Sequence, residues 1–338
     1  MTLSAEPASG SADELTLADL SESDVLARIF PRLPSARAEL LGPGDDAAVV
    51  AAPDGRYVVT TDMMIHGPDF RLAWSSPTDL GWKAAATNLS DVAAMGAHPT
   101  ALLLAIAAPP ATPVSVLEGI ADGLRECCAA LAPDCGVVGG DLSASTVLTL
   151  AITAIGDLDG RTPVLRSGAQ VGDVVAISGR MGQAARGLNL LFTHAVDADG
   201  VPDAMLAAGI AEQHPDLIAA QLRPEPPIGD GPLAADAGAT SMLDVSDGLA
   251  IDAGRIARAS GVGIEFNSAA LGDSPEISAN GGEDHALLAT FPAGATLPGG
   301  FSRIGTVTAD AGVISIDGKP HSQGGWDPYR GWDGAAAG

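Results

Sequence analysis

The chain has 338 residues, with 17 Lys plus Arg against 42 Asp plus Glu, a formal net charge of −25 and three cysteines. That charge excludes a broad electrostatic footprint for nucleic acid, no apolar run approaches the ~20 residues of a membrane span, and Cys127, Cys128 and Cys135 form neither a disulfide framework nor a zinc spacing. The length allows two domains, each with its own core.

In chain order, the acidic, polar stretch "MTLSAEPASGSADELTLADL" lacks the basic start and apolar core of a signal peptide. It reads as a disordered leader over residues 1–20, with the cytoplasm as location. A helix is predicted after Ser21 or Ser23, ending at Pro31. "DDAAVVAA" and "YVVTTDMM" are strand candidates around the turn "PDG". A long helix follows, capped by Ser75 or Ser76 with Pro77 in its first turn, and stops around Gly96. "TALLLAIAAP" reads as a strand, "TPVSVLEGIADGLRECCAAL" as a second long helix, and "VLTLAITAIGDL" as a strand. The turn-rich "GDLDGRTPVLRSGAQVGD" then divides an N-terminal domain, residues 21–158, from a C-terminal one, residues 159–338. The second half runs strand "VVAISG", a helix from Gly182, a Pro-rich link "LRPEPPIGDGP", strand "SMLDV", helix "DGLAIDAGRIARAS" and strand "VGIEF". A Gly/Ser/Asn-rich loop leads to "GGEDHALLATF" and short strands around Ile304 and Ile314. This mixed order favours two α+β domains over one doubly wound sheet.

Carboxylates recur at awkward places along this path. Asp45 and Asp46 stand together in "LGPGDDAAVV", where a strand is about to begin, and adjacent carboxylates resist burial unless a cation lies between them. Asp62 ends a β-branched strand behind Thr60 and Thr61. Asp91 lies within the long helix, one turn after Asn88 on the same face. Asp141 closes "CGVVGGD" behind two glycines, and Asp244 and Asp247 bracket the strand–helix junction "LDVSDGL", where Ser246 or Asp247 could cap the helix. Singly, each is an ordinary turn residue, helix carboxylate or cap. Together they face almost no lysine, because the chain has only Lys83 and Lys319, and neither lies in a phosphate-binding G-x-x-x-x-G-K-[ST] loop. Several Mg²⁺ ions bridging phosphate oxygens account for the whole pattern. No activated Ser, Cys or His nucleophile is evident.

The segments "GPGDDAAVV", "TTDMMIHGPDF", "KAAATNLSDVAAMGAHP", "VVGGDLSAS", "RSGAQVGDVVAISGRMG", "LDVSDGLAIDAGRIARASG" and "GGEDHALL" occur in the order of the thiamine-monophosphate kinase family, which the chain resembles from about Ser23 to "GGWDPY". The resemblance implies an aminoimidazole ribonucleotide synthetase-like fold, mixed α/β and α+β. Its N-terminal α/β domain contributes strands to a homodimer, and an α+β domain follows. It also implies ATP-dependent phosphorylation of thiamine monophosphate to thiamine diphosphate, the last step of that biosynthesis, by direct in-line transfer with several Mg²⁺. Asp45, Thr60, Thr61, Asp62, Asp91, Asp141, Asp244 and Asp247 would be metal ligands. Gly140, Asp141, Arg166 and Ser246 would lie at ATP, and Asp69, Glu283 and Trp326 at the thiamine substrate. The chain departs from the family pattern at Asp69, where His is commoner, at His66, often acidic, and at His285, usually Tyr. The alternatives to this reading are another ATP-using enzyme of the superfamily and a non-catalytic nucleotide- or metal-binding protein.

Overall fold

The computed structural model describes residues 15–43, 47–322 and 324–325. Asp45, Asp46 and Trp326 therefore lie outside the described residues. Part of the expected leader is ordered: the N–H groups of Leu17 and Ala18 donate to the carbonyls of Thr112 and Pro110, both at 2.9 Å. Helix α1 (Glu22–Ile29) begins at Ser21, whose hydroxyl accepts from the Asp24 N–H while the Asp24 carboxylate answers the Ser21 N–H. That reciprocal cap fixes the helix start. Among the described residues of "DDAAVVAA", Val49–Val50 form the short strand β2, paired antiparallel with β1 (Glu39–Leu41).

The N-terminal sheet is built from β3 (Val58–Ile65), β4 (His98–Ala108), β5 (Gly136–Ala144) and β6 (Thr149–Asp157), in the order β3-β6-β4-β5. Only the β4–β5 pair is parallel. Helix α2 (Pro77–Ala94) starts at Ser76, not Ser75, through a second reciprocal cap with Asp79. It is buried along most of its length, and α3 (Val114–Leu131) lies directly behind it. Glycines set that spacing: a Cβ at Gly81 would sit 2.0 Å from the Ile120 carbonyl oxygen, and one at Gly123 would sit 2.0 Å from that of Thr78.

The second half begins with β7 (Val174–Ser178) and α4 (Gln183–His194). Three helices, α5 (Ala204–Gln213), α6 (Pro215–Leu222) and α7 (Asp230–Asp236), follow before β8, where the sequence suggested only the helix from Gly182 and the Pro-rich link at 222–232. Their Ala-rich, weakly periodic sequences explain why pattern reading missed them. β8 (Ser241–Val245), α8 (Leu249–Ser260), β9 (Gly263–Phe266), α9 (Pro275–Asn280), β10 (Ala286–Phe291), β11 (Ser302–Thr308), β12 (Ile314–Ile316) and β13 (Lys319–Pro320) follow among the described residues. The C-terminal sheet runs β13-β12-β9-β11-β7-β10-β8. One apolar core continues from α2, α3 and the four-stranded sheet into Ile228, Met242, Leu287, Phe291 and Phe301 of the second half, while another lies under α8. The end of β8 is thereby held against the middle of α2.

Two carboxylates expected at strand ends lie inside strands. Asp62 pairs with Ile152 within β3, and Asp141 pairs with Ala105 within β5. A strand interior projects its side chain from a pleated face, so each carboxylate acquires a definite side of the sheet.

Candidate active site

Strand β3 and helix α2 bring the first group of carboxylates together. The Thr60 hydroxyl donates to Asp91 Oδ2 at 2.9 Å, and the Asp62 N–H donates to Asn88 Oδ1 at 3.1 Å. At the end of β8, Asp244 is 6% exposed, with Ser90 Oγ at 3.0 Å and His285 Nδ1 at 3.1 Å from its Oδ2. Burial, with the charges of Asp244 and Asp62, pushes Asp91 up to about 7. Burial and the Asp244 charge likewise raise Asp62. Burial would raise Asp244 too, but its hydrogen bond and charge interaction with His285 hold it low. The cluster is therefore short of positive charge, and its oxygen donors suit a hard divalent cation. Among the described residues no three His, Cys, Asp or Glu side chains converge tightly enough to hold an ion alone. Mg²⁺ is commonly bound through one or two carboxylates plus waters and substrate phosphates.

Around the β8–α8 junction, Asp247 pairs with Arg255, which also pairs with the fully buried Asp252. Asp252 accepts from the N–H groups of Asp247 and Gly248 at 3.1 and 3.2 Å. The helix cap is Gly248, so Asp247 and Ser246 are free of the capping role considered for them. The Ser246 carbonyl accepts from the Glu283 N–H at 2.9 Å, tying this junction to the "GGED" turn.

The remaining expected residues divide. Thr61 faces away from Asp62 and donates to the Ile152 carbonyl at 2.8 Å. Gly140 packs so closely on β4 that a Cβ would lie 1.9 Å from the Leu104 carbonyl oxygen. Asp141 accepts from Ser143 Oγ at 2.8 Å, and its row across the sheet runs through Ala105 and Ala151 to Met63. The Asp62 row runs instead through Ile152 and Leu104 to Gly140. Asp141 thus lies on the opposite face from Asp62 and three strands away, roughly 14 Å at the usual strand spacing. Arg166 is exposed beside the start of β8, where the preceding Leu165 carbonyl accepts from the Met242 N–H at 3.0 Å. No hydrogen bond or ion pair joins its guanidinium to the carboxylate cluster among the described residues.

Asp69, expected at the thiamine substrate, occupies the turn after β3, where its carboxylate accepts from the Ile65 N–H at 2.7 Å. Burial raises its pKa, the Ile65 N–H opposes this and the Glu283 charge adds to the rise. Glu283 has φ of +69° and pairs with Lys83, with Gln221 Nε2 at 3.0 Å. Lys83 and Gln221 are functional candidates that the sequence reading passed over. A signal existed for Lys83: it precedes Thr87 and Asp91 at intervals of four on an otherwise apolar helix. Nothing local marks Gln221, since only the packing of α6 brings it there. His285, at φ +52°, adds the Asp244 contact that its place after "GGED" did not suggest.

Residues 44–158 match the family model described as AIR synthase related protein, N-terminal domain. A thiamine-monophosphate kinase of Mycobacterium tuberculosis is 41% identical over 332 residues, covering 94% of this chain and 92% of that protein. The crystal structure of thiamine monophosphate kinase from Aquifex aeolicus superposes with a TM-score of 0.68 at 31% identity, covering 82% of this chain and 92% of that one. A solved complex of AaThiL with AMPPCP and TMP gives a TM-score of 0.70 at 31% identity, with 83% and 90% covered. With identity spread along nearly its whole length, this chain belongs to the thiamine-monophosphate kinase family.

Proposed function

We propose that this chain transfers the γ-phosphoryl group of ATP to thiamine monophosphate, giving thiamine diphosphate and ADP. The observation that carries the reading is the charge-deficient cluster of Asp62, Asp91 and Asp244, held by the Thr60–Asp91, Asn88–Asp62 and Ser90–Asp244 hydrogen bonds. The acceptor phosphate has a second pKa near ~6 and is largely ionised at neutral pH, so the protein need not remove a proton from it. Its task is to bring two polyanions into line. Magnesium bound by Asp62, Asp91, Asp244 and Asp247, with Thr60 and Asp45, would supply charge neutralisation and phosphate orientation. Asn88 and Ser90 steady the carboxylate frame, while Asp69 and Glu283 hold the cationic end of the acceptor. Gly140, Arg166 and Ser246 are assigned to ATP and Trp326 to stacking on the acceptor. Transfer is direct, with no covalent enzyme intermediate.

The reading includes a homodimer, cytoplasmic, with each chain divided near residue 158. An uncovered apolar sheet face supports the dimer: Val59 is 66% exposed and Met63 59%, flanked by Ile65 and Leu103. Apolar surface continuous over several strands marks an interaction site. Asp141 lies on this face, on the opposite side of the sheet from Asp62, where a second copy would meet it.

Incubating the purified protein with ATP, Mg²⁺ and thiamine monophosphate should yield thiamine diphosphate and ADP in equal amounts, and chelation should stop both. ADP release without thiamine diphosphate would assign the site to another acceptor.

A further inference from the structure

Two polar groups beside the acceptor have no task in the reading above, the Lys83 ammonium and the Gln221 side-chain carbonyl. Lys83 is one of two lysines in the chain and is 6% exposed, a burial that an ammonium tolerates only beside a paired anion. Its anion, Glu283, sits in the left-handed backbone region at φ +69°, uncommon for a residue with a Cβ. Lys83 and Gln221 both bond Glu283 Oε2, which leaves Oε1 for another donor. The carboxylate also fixes the Gln221 amide: its NH₂ must face Glu283, so its oxygen is the group left over. That oxygen is buried without a hydrogen-bond partner among the described residues, on a side chain only 4% exposed. Buried acceptors are rarely left unmet in native proteins, and one beside a binding site calls for a donor. The three side chains arrive from α2, α6 and the turn before β10, so tertiary packing alone assembles them.

We propose that Lys83 and Gln221 complete the acceptor subsite. Lys83 is the positioning residue that holds Glu283 in its turn, and Gln221 Oε1 accepts a hydrogen bond from an exocyclic amine on a heteroaromatic acceptor. This rests on the kinase reading and assigns the aminopyrimidine end of thiamine monophosphate to Gln221. A purely structural clamp between α2 and α6 would use the same contacts but would show no preference for the amine.

The test is steady-state kinetics on the full chain with thiamine monophosphate and with an analogue carrying oxygen in place of the exocyclic amine. The parent should prefer the amine-bearing acceptor. In Gln221→Met, KM for thiamine monophosphate should rise roughly tenfold, the value of one charge-free hydrogen bond, while KM for the analogue and for ATP stay put. Lys83→Met should raise KM for both acceptors and leave that for ATP unchanged. If the lone Glu283 charge prevents that variant from folding, the double variant Lys83→Met/Glu283→Gln removes it and should show the same split. A preserved amine preference in Gln221→Met, or Lys83 variants that lose ATP and acceptor affinity equally, would overturn the proposal. A parent that phosphorylates neither acceptor removes the kinase reading, and this subsite with it, before any variant is made; failure confined to the variants removes the subsite alone.

Discussion

At Asp91 burial and like charge act together. The carboxyl is pushed up to about 7 by burial and by the charges of Asp244 and Asp62, with the Thr60 hydroxyl and His285 opposing. A carboxyl whose folded pKa exceeds its unfolded value binds more protons in the folded state between the two, so stability falls as pH rises through that window. Asp62 acts in the same sense. So does His285, which burial lowers but Asp244 raises further. His66, lowered by burial, opposes them as a single group. Asp244 and Glu283 are held low, and their contributions are lost only at more acidic pH. The metal-free protein should therefore melt higher at pH 5.5 than at pH 7.5, by about 2 °C or more, and Mg²⁺ at pH 7.5 should recover the difference. A melting profile in chelator that is flat or rises with pH counts against the cluster. By the same argument, Asp62→Asn and Asp91→Asn should fold at least as stably as the parent near pH 7.5. Turnover should nonetheless fall roughly a hundredfold or more, because the charge that gathers the phosphates is gone. Parent-like turnover in both variants would remove the metal assignment.

Helix α2 carries Lys83, Asn88, Ser90 and Asp91, so the placement of one element decides both halves of the site. Its depth is set by backbone-to-backbone approach to α3 at Gly81 and Gly123. Gly81→Ala forces a methyl group against the Ile120 carbonyl, and overpacking of this kind costs about 1–3 kcal/mol. Denaturant unfolding should show a lower midpoint with an unchanged slope. A Gly81→Ala variant unfolding at the parent midpoint would mean that the two helices are not held at this distance. Strand β5 offers a parallel case, since Gly140→Ala would meet the Leu104 carbonyl and shift the strand that carries Asp141.

Among the described residues one sheet face is uncovered, and Asp141 lies on it, away from Asp62. A site shared between two copies predicts complementation in trans. Asp62→Asn and Asp141→Asn chains, each inactive alone, should on subunit exchange form mixed dimers with one intact site, restoring about a quarter of the parent activity at random mixing. Recovery near zero, with mixed dimers shown by native mass spectrometry, would place both residues in one chain's site. Val59→Lys combined with Met63→Glu should shift the sedimenting species toward monomer and abolish turnover together.

The sequence by itself determined a good deal of this protein. Short-range chemistry is written locally, so the helix starts were narrowed to Ser21 or Ser23 and to Ser75 or Ser76, and the β-branched run around Asp62 and the Gly pair before Asp141 could be read where they stand. The acidic composition with two lysines pointed to cations, and the ordered motifs pointed to the family. Sheet register and helix packing were decided only by tertiary structure, because they depend on partners far along the chain. Register put Thr60 and Asp62 on one face with Asp91, and Asp141 on the other. Packing drew Gln221 and Lys83 to Glu283 across separations of 62 and 200 residues, a meeting that no local pattern encodes.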